Sequence, residues 1–101
     1  MSASEEIENF KNLVTQYVQT TDAIITTYQR FKTAGTMTEK QAALDELSTL
    51  FNIIQILSEQ INDSLTKIFT LNPTAQDITT VKEQMVILKA ARDKVKAVLR
   101  R

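Results

Sequence analysis

IENFKNLVTQYVQTTDAIITTYQRF, residues 7–31, decides the fold. Apolar and aromatic residues recur in it at Ile7, Phe10, Val14, Tyr17, Ile24, Tyr28 and Phe31. The alternating three- and four-residue steps are those of a helix with a heptad a/d stripe, interrupted once at Thr21. Leu13, Val18 and Ile25 widen the stripe. Ser2 and Glu5 stand in capping-box spacing, and Glu5, Glu6 and Glu8 suit the positive end of the helix dipole. Arg30 and Lys32 suit its C-terminal end, and Gly35 offers a left-handed cap just beyond. A helix is therefore expected over about 4–33.

The same rhythm continues downstream. Thr38 and Gln41 have capping-box spacing ahead of a stripe at Leu44, Leu47, Phe51, Ile54, Ile61, Leu65 and Ile68, with Ser58 in its gap. Ala43, Leu50 and Leu57 broaden that stripe, which predicts a helix over 39–70. Pro73 ends it, and Thr74 with Asp77 can cap a third helix over 74–100. Its stripe is Ile78, Val81, Met85, Leu88, Val95 and Leu99, interrupted by Arg92.

Two short connections favour antiparallel neighbours, so the expectation is an all-α, up-down-up three-helix bundle formed by 1–101 as one domain. At 1.5 Å per residue, such helices make a rod roughly 40–48 Å long. In shape alone this is similar to spectrin repeats and to the regulatory domains of syntaxins, with no motif of either. A heptad period also suits coiled-coil pairing between chains, in which the helices open and keep the same residues buried.

Composition narrows the chemistry. The 101 residues contain no histidine, cysteine or tryptophan, and only one glycine and one proline. Histidine- or cysteine-based triads, the usual zinc ligand sets and disulfides are excluded, and a single glycine cannot build a phosphate-cradling loop. Carboxylates cluster at Glu5/Glu6/Glu8 and Asp45/Glu46, where helix starts ordinarily carry acids. No catalytic, cofactor-binding or metal-ligating residue is assigned, and no small-molecule substrate is expected. No apolar run approaches the roughly 20 residues of a membrane span. The acidic, polar opening residues differ from a signal peptide, so an intracellular, soluble protein is expected.

Three features suggest function. The first is polar. Aligning the hairpins brings Thr21 and Arg92 to one level, with Tyr17 and Ser58 a turn away, as a buried polar layer that could fix helix register. The second is charge. Twelve bases balance twelve acids, but the sum is −1 over residues 1–34, −3 over 35–72 and +4 over 73–101. Lys89, Lys94, Lys96, Arg100 and Arg101 form a candidate basic patch. Its members Lys96, Arg100 and Arg101 are expected to lie near Glu39, Asp45 and Glu46 of the neighbouring helix and neutralise them, with nucleic-acid binding as the rival reading. No aromatic residue is interleaved with these bases to stack on nucleotides.

The third feature is apolar. Ile53, Ile56, Val86 and Ile87 fall off the stripes at one level of the bundle and form a candidate interface. The functional expectation is a non-enzymatic structural or protein-interaction subunit that docks partners, or copies of itself, through helix faces. A nucleic-acid accessory protein is the alternative, and a viral or phage structural or accessory component a second.

Overall fold

The computed structural model describes residues 2–100, and among them three helices account for nearly the whole chain: α1 (Ala3–Thr33), α2 (Met37–Thr70) and α3 (Ala75–Leu99). The all-α three-helix architecture is as expected. α1 packs against both α2 and α3. The radius of gyration is 16.4 Å, against the ~13 Å of a compact domain of this size, and the Cα extents of 54 × 22 × 15 Å describe a thin rod.

Polar side chains set the helix starts. The Ser2 hydroxyl accepts from the Glu5 backbone N–H, and Thr74 and Asp77 form a reciprocal capping box. At α2 the sequence reading placed the box at Thr38 and Gln41. The helix begins two residues earlier than expected, because the Thr36 hydroxyl captures the Glu39 N–H. Gly35 is not a left-handed cap either. α1 ends on Ala34 in extended backbone, and the residue with positive φ is Asn72, at 53°, beyond α2. Asparagine tolerates that region through its short polar side chain, which lets the chain turn into Pro73.

The core lies along α1. Phe10, Val14 and Ile7 gather Leu57, Ile61 and Ile68 from α2 and Val81, Leu88 and Ala91 from α3. Towards the other end, Ile24 and Ile25 meet Leu47 and Val95. Phe10, Val14, Ile24 and Ile68 are almost wholly buried, and each such side chain contributes about 1.5–3 kcal/mol of burial free energy.

On α2 and α3 the buried seam is displaced from the sequence stripe. Along α2 it runs through Ala43, Leu47, Leu50, Ile54, Leu57, Ile61, Ser64 and Ile68, all buried or half-buried. Along α3 it runs through Asp77, Val81, Gln84, Leu88, Ala91, Val95 and Val98 in the same way. Both keep the four-three rhythm. Both share one row with the expected stripe and bury a further row, Ala43, Leu50, Leu57 and Ser64 on α2. The other expected row is only partly covered: Ser58, Leu65, Ile78 and Leu99 are half-buried, with Leu65 and Leu99 against the core. Leu44 and Phe51 are exposed, at 44% and 42%, and so is Met85 on α3.

The reason is the position of α1. It lies between the other two helices, and among the described residues no Cα of α2 comes within 8 Å of a Cα of α3. Packed helices normally approach to 8–10 Å between axes, so one side of the three-helix triangle is left open. α3 is also shorter, with 25 residues against 34 in α2, which leaves the N-terminal turns of α2 without a neighbour on that side.

Candidate functional site

The displaced seams leave a trough between α2 and α3. One wall is the row Leu44, Phe51, Ser58 and Leu65; the other is Ile78, Met85, Arg92 and Leu99. Seven-residue spacing keeps each row on a single helix face. Midway along the trough, Tyr17, Ser58, Ile61, Asn62, Leu88 and Arg92 line a cleft of about 80 Å³.

That cleft holds part of the expected polar layer, with corrections. Tyr17 and Thr21 are buried, Ser58 is half-buried, and Arg92 is exposed rather than internal. Arg92 sits in the outer row of α3, facing the trough where no helix covers it. Thr21 lies outside this cleft and satisfies itself within α1, its hydroxyl donating to the Val18 carbonyl at 2.7 Å. Ser58 likewise donates to the Ile54 carbonyl, at 2.9 Å. Burial raises the Tyr17 phenol above its ordinary pKa, partly offset by the positive charge of Arg92 and by hydrogen bonding with Ser58.

Beside Arg92, the edge of α3 carries Lys82, Lys89 and Lys96, again seven residues apart and all exposed. Lys89 donates to Asp93 at 2.8 Å and holds its carboxyl below the ordinary range, with the charges of Lys96 and Arg92 adding to the effect. Lys94 points the other way and approaches Asp22 of α1, at 3.8 Å. The expected neutralisation of α3 by α2 does not occur: among the described residues no ion pair joins these helices. Glu46 pairs with Arg30 of α1 instead, because α1 is the helix within reach. Arg101, the last member of the expected patch, lies outside the described residues.

Ile53, Ile56, Val86 and Ile87 are all exposed, as the sequence placed them, but they do not share one surface. Ile87 lines a groove with Val18, Asp22 and Lys94, where α3 meets α1. Ile53 and Ile56 fall on the α2 flank of Gln60 and Asp63, which line a different groove with Asn9 and Leu13. Val18 and Leu13 lie on different sides of α1, so α1 separates the two pairs.

Sequence reasoning missed one polar cluster. Glu6, at 2% exposure, is buried at the α1–α2 seam with Ser64. One Glu6 oxygen accepts from Asn9 at 2.9 Å; the other has Lys67 at 4.0 Å and no hydrogen bond. The Ser64 hydroxyl is buried without a hydrogen-bond partner. The signal available was position: Glu6 lies four residues before Phe10 and seven before Leu13, on the side of α1 that meets α2.

No family model, no curated protein and no solved structure matches the chain. Among the described residues no helix is long and apolar enough to cross a membrane, and no group of three or more acidic side chains is placed to hold a metal ion.

Proposed function

We propose that this chain is a non-enzymatic structural or interaction subunit that docks a partner, or a copy of itself, through a helix face. The observation that carries this reading is the pair of open rows, with Leu44, Phe51 and Met85 exposed where a closed bundle would bury them. Three of the large apolar side chains exposed among the described residues, Leu44, Phe51 and Met85, line this one trough beside a charged edge, an arrangement suited to an interface. The Ile53/Ile56 edge is the other candidate surface on α2. Binding nucleic acid along α3 is the rival reading. It uses the same lysines but leaves Leu44 and Phe51 without a role, since phosphate contacts need no apolar row.

The test combines mass in solution by light scattering with affinity purification from the native source, using the wild type, Phe51→Glu and Ile53→Lys/Ile56→Lys. The expected result is a stoichiometric assembly that one of the two surface variants dissolves. A wild-type chain that stays monomeric and retains no stoichiometric partner contradicts the reading.

A further inference from the structure

We infer that the trough between α2 and α3 receives one amphipathic helix of a partner protein, acidic along the edge that meets α3. The inference rests on the docking role proposed above and names the partner of that surface. Three observations specify the occupant.

The first is geometric. α1, α2 and α3 occupy three positions of a four-helix bundle, and the fourth, diagonal to α1 and adjacent to α2 and α3, is open. Its walls repeat every seven residues on both sides, Leu44, Phe51, Ser58 and Leu65 facing Ile78, Met85, Arg92 and Leu99. Leu44, Phe51, Met85 and Arg92 are exposed, and the other four are half-buried, with Leu65 and Leu99 against the core. From Leu44 to Leu65 the wall spans roughly 32 Å, matching a helix of about 22 residues.

The second is charge. In helical bundles the residues flanking the apolar seam select the partner. On α3 the flank is Lys82, Lys89 and Lys96, of which Lys89 already pairs with Asp93 and the other two carry the net charge of the edge. On α2 the corresponding flank is Gln41, Ser48, Gln55 and Asn62, which carries no charge. The matching helix is therefore acidic along one edge and neutral along the other. A second copy of this chain laid on the same trough would set the lysines against either lysines or the uncharged α2 flank, in neither case against acids, so an acidic helix is the better match. A flat anionic bilayer meets the lysines but cannot follow the concave walls down to Tyr17. Duplex nucleic acid turns its phosphates outward and keeps its base faces stacked inside, so it offers little apolar surface to Leu44 and Phe51.

The third is the gap in the seam. Ser58 and Arg92 interrupt their rows at the same cleft. A helix seated in the trough thus meets one cation within an otherwise apolar seam, and a single inward Glu or Asp at that level would pair with it. One charged pair in the seam fixes register, because any slip leaves both charges uncompensated.

The test uses synthetic helical peptides of about 22 residues with a leucine seam, read by fluorescence anisotropy. One carries glutamates along one edge and one inward glutamate; a second replaces the edge glutamates with lysine; a third replaces only the inward glutamate with leucine. The first is expected to bind at least tenfold more tightly than the second. Phe51→Glu should weaken it at least tenfold, and Lys82→Glu/Lys89→Glu/Lys96→Glu should reverse the preference for edge charge. Arg92→Leu should reverse the preference between the first and third peptides. All these substitutions are on exposed side chains, and circular dichroism checks that each variant keeps its helix content.

Equal binding of the first two peptides, binding that survives Phe51→Glu, or no binding of any peptide overturns the inference. So does tight binding of phosphatidylserine vesicles or duplex DNA that needs the lysines but not Phe51. If association of the wild-type protein persists in Phe51→Glu and is lost in Ile53→Lys/Ile56→Lys, the docking role stands and this assignment of the trough fails.

Discussion

Leu47 and Phe51 stand one helical turn apart on α2, and only the first is covered: Leu47 is 7% exposed and Phe51 42%. Both are large and apolar, and both belong to the stripe visible in the sequence. α1 covers the row of Leu47, whereas the row of Phe51 faces the open side of the bundle.

The two residues should accordingly differ in what they contribute to folding. Leu47→Ala removes a buried side chain and leaves a cavity, at a cost of about 2–4 kcal/mol. Phe51→Ala should cost about 1 kcal/mol or less, as expected of a half-uncovered position. Urea unfolding of the two variants measures the difference; equal losses would place Phe51 in the core.

Ser64 should be replaceable at a gain. Its hydroxyl is buried without a hydrogen-bond partner, and an unmade bond of this kind costs about 1–3 kcal/mol. Ser64→Ala keeps the volume close and removes the polar atom. A melting temperature unchanged or raised by a few degrees is expected. A clear fall would reveal a partner for this hydroxyl.

Arg92 tests the trough from the side of α3. Exposed and at the rim of the cleft, it should be dispensable for folding, so Arg92→Leu should change stability by about 0.5 kcal/mol or less. Removing its charge should raise the Tyr17 pKa further, because Arg92 is one of the two groups that lower it. The sign for stability follows. Native Tyr17 holds its proton to higher pH than the unfolded chain, so its contribution is intact below about pH 10 and is lost as pH rises through the native value. Ultraviolet titration in a Tyr28→Phe background follows the phenol. A Tyr17 pKa that falls in Arg92→Leu would contradict the arrangement.

The backbone at the first turn gives a further check. Gly35 is not held in a left-handed conformation, and a Cβ there would meet nothing within 4 Å. Gly35→Ala should stabilise the protein by about 0.4–1 kcal/mol by restricting the unfolded chain. A destabilisation measured by urea unfolding would restore the cap role that its position after Lys32 suggests.

The helices and their order were legible because periodicity and punctuation agree, as at Thr74, Asp77 and Pro73. The seam was legible only in part. α2 carries leucine, phenylalanine or isoleucine on both sides of its shared row, Leu47, Ile54, Ile61 and Ile68. The stripe containing Leu44 and Phe51 is more apolar than the true one, which runs through Ala43 and Ser64. Burial follows the side on which α1 lies, and hydrophobicity alone does not rank two apolar faces by which of them meets a neighbour. The same displacement moved Arg92 from the expected interior to the rim. It also hid the trough, because surface that looks like core in a sequence gives no sign that its partner is missing.

The most direct measurement is amide chemical-shift mapping of the isotope-labelled protein titrated with the glutamate-edged peptide. The largest changes are expected along Leu44, Phe51 and Ser58 of α2 and Met85, Arg92 and Lys96 of α3, with the Ile53/Ile56 and Val86/Ile87 edges unaffected. Changes centred on either of those edges, or none at a saturating excess of peptide, would contradict an open fourth position between α2 and α3.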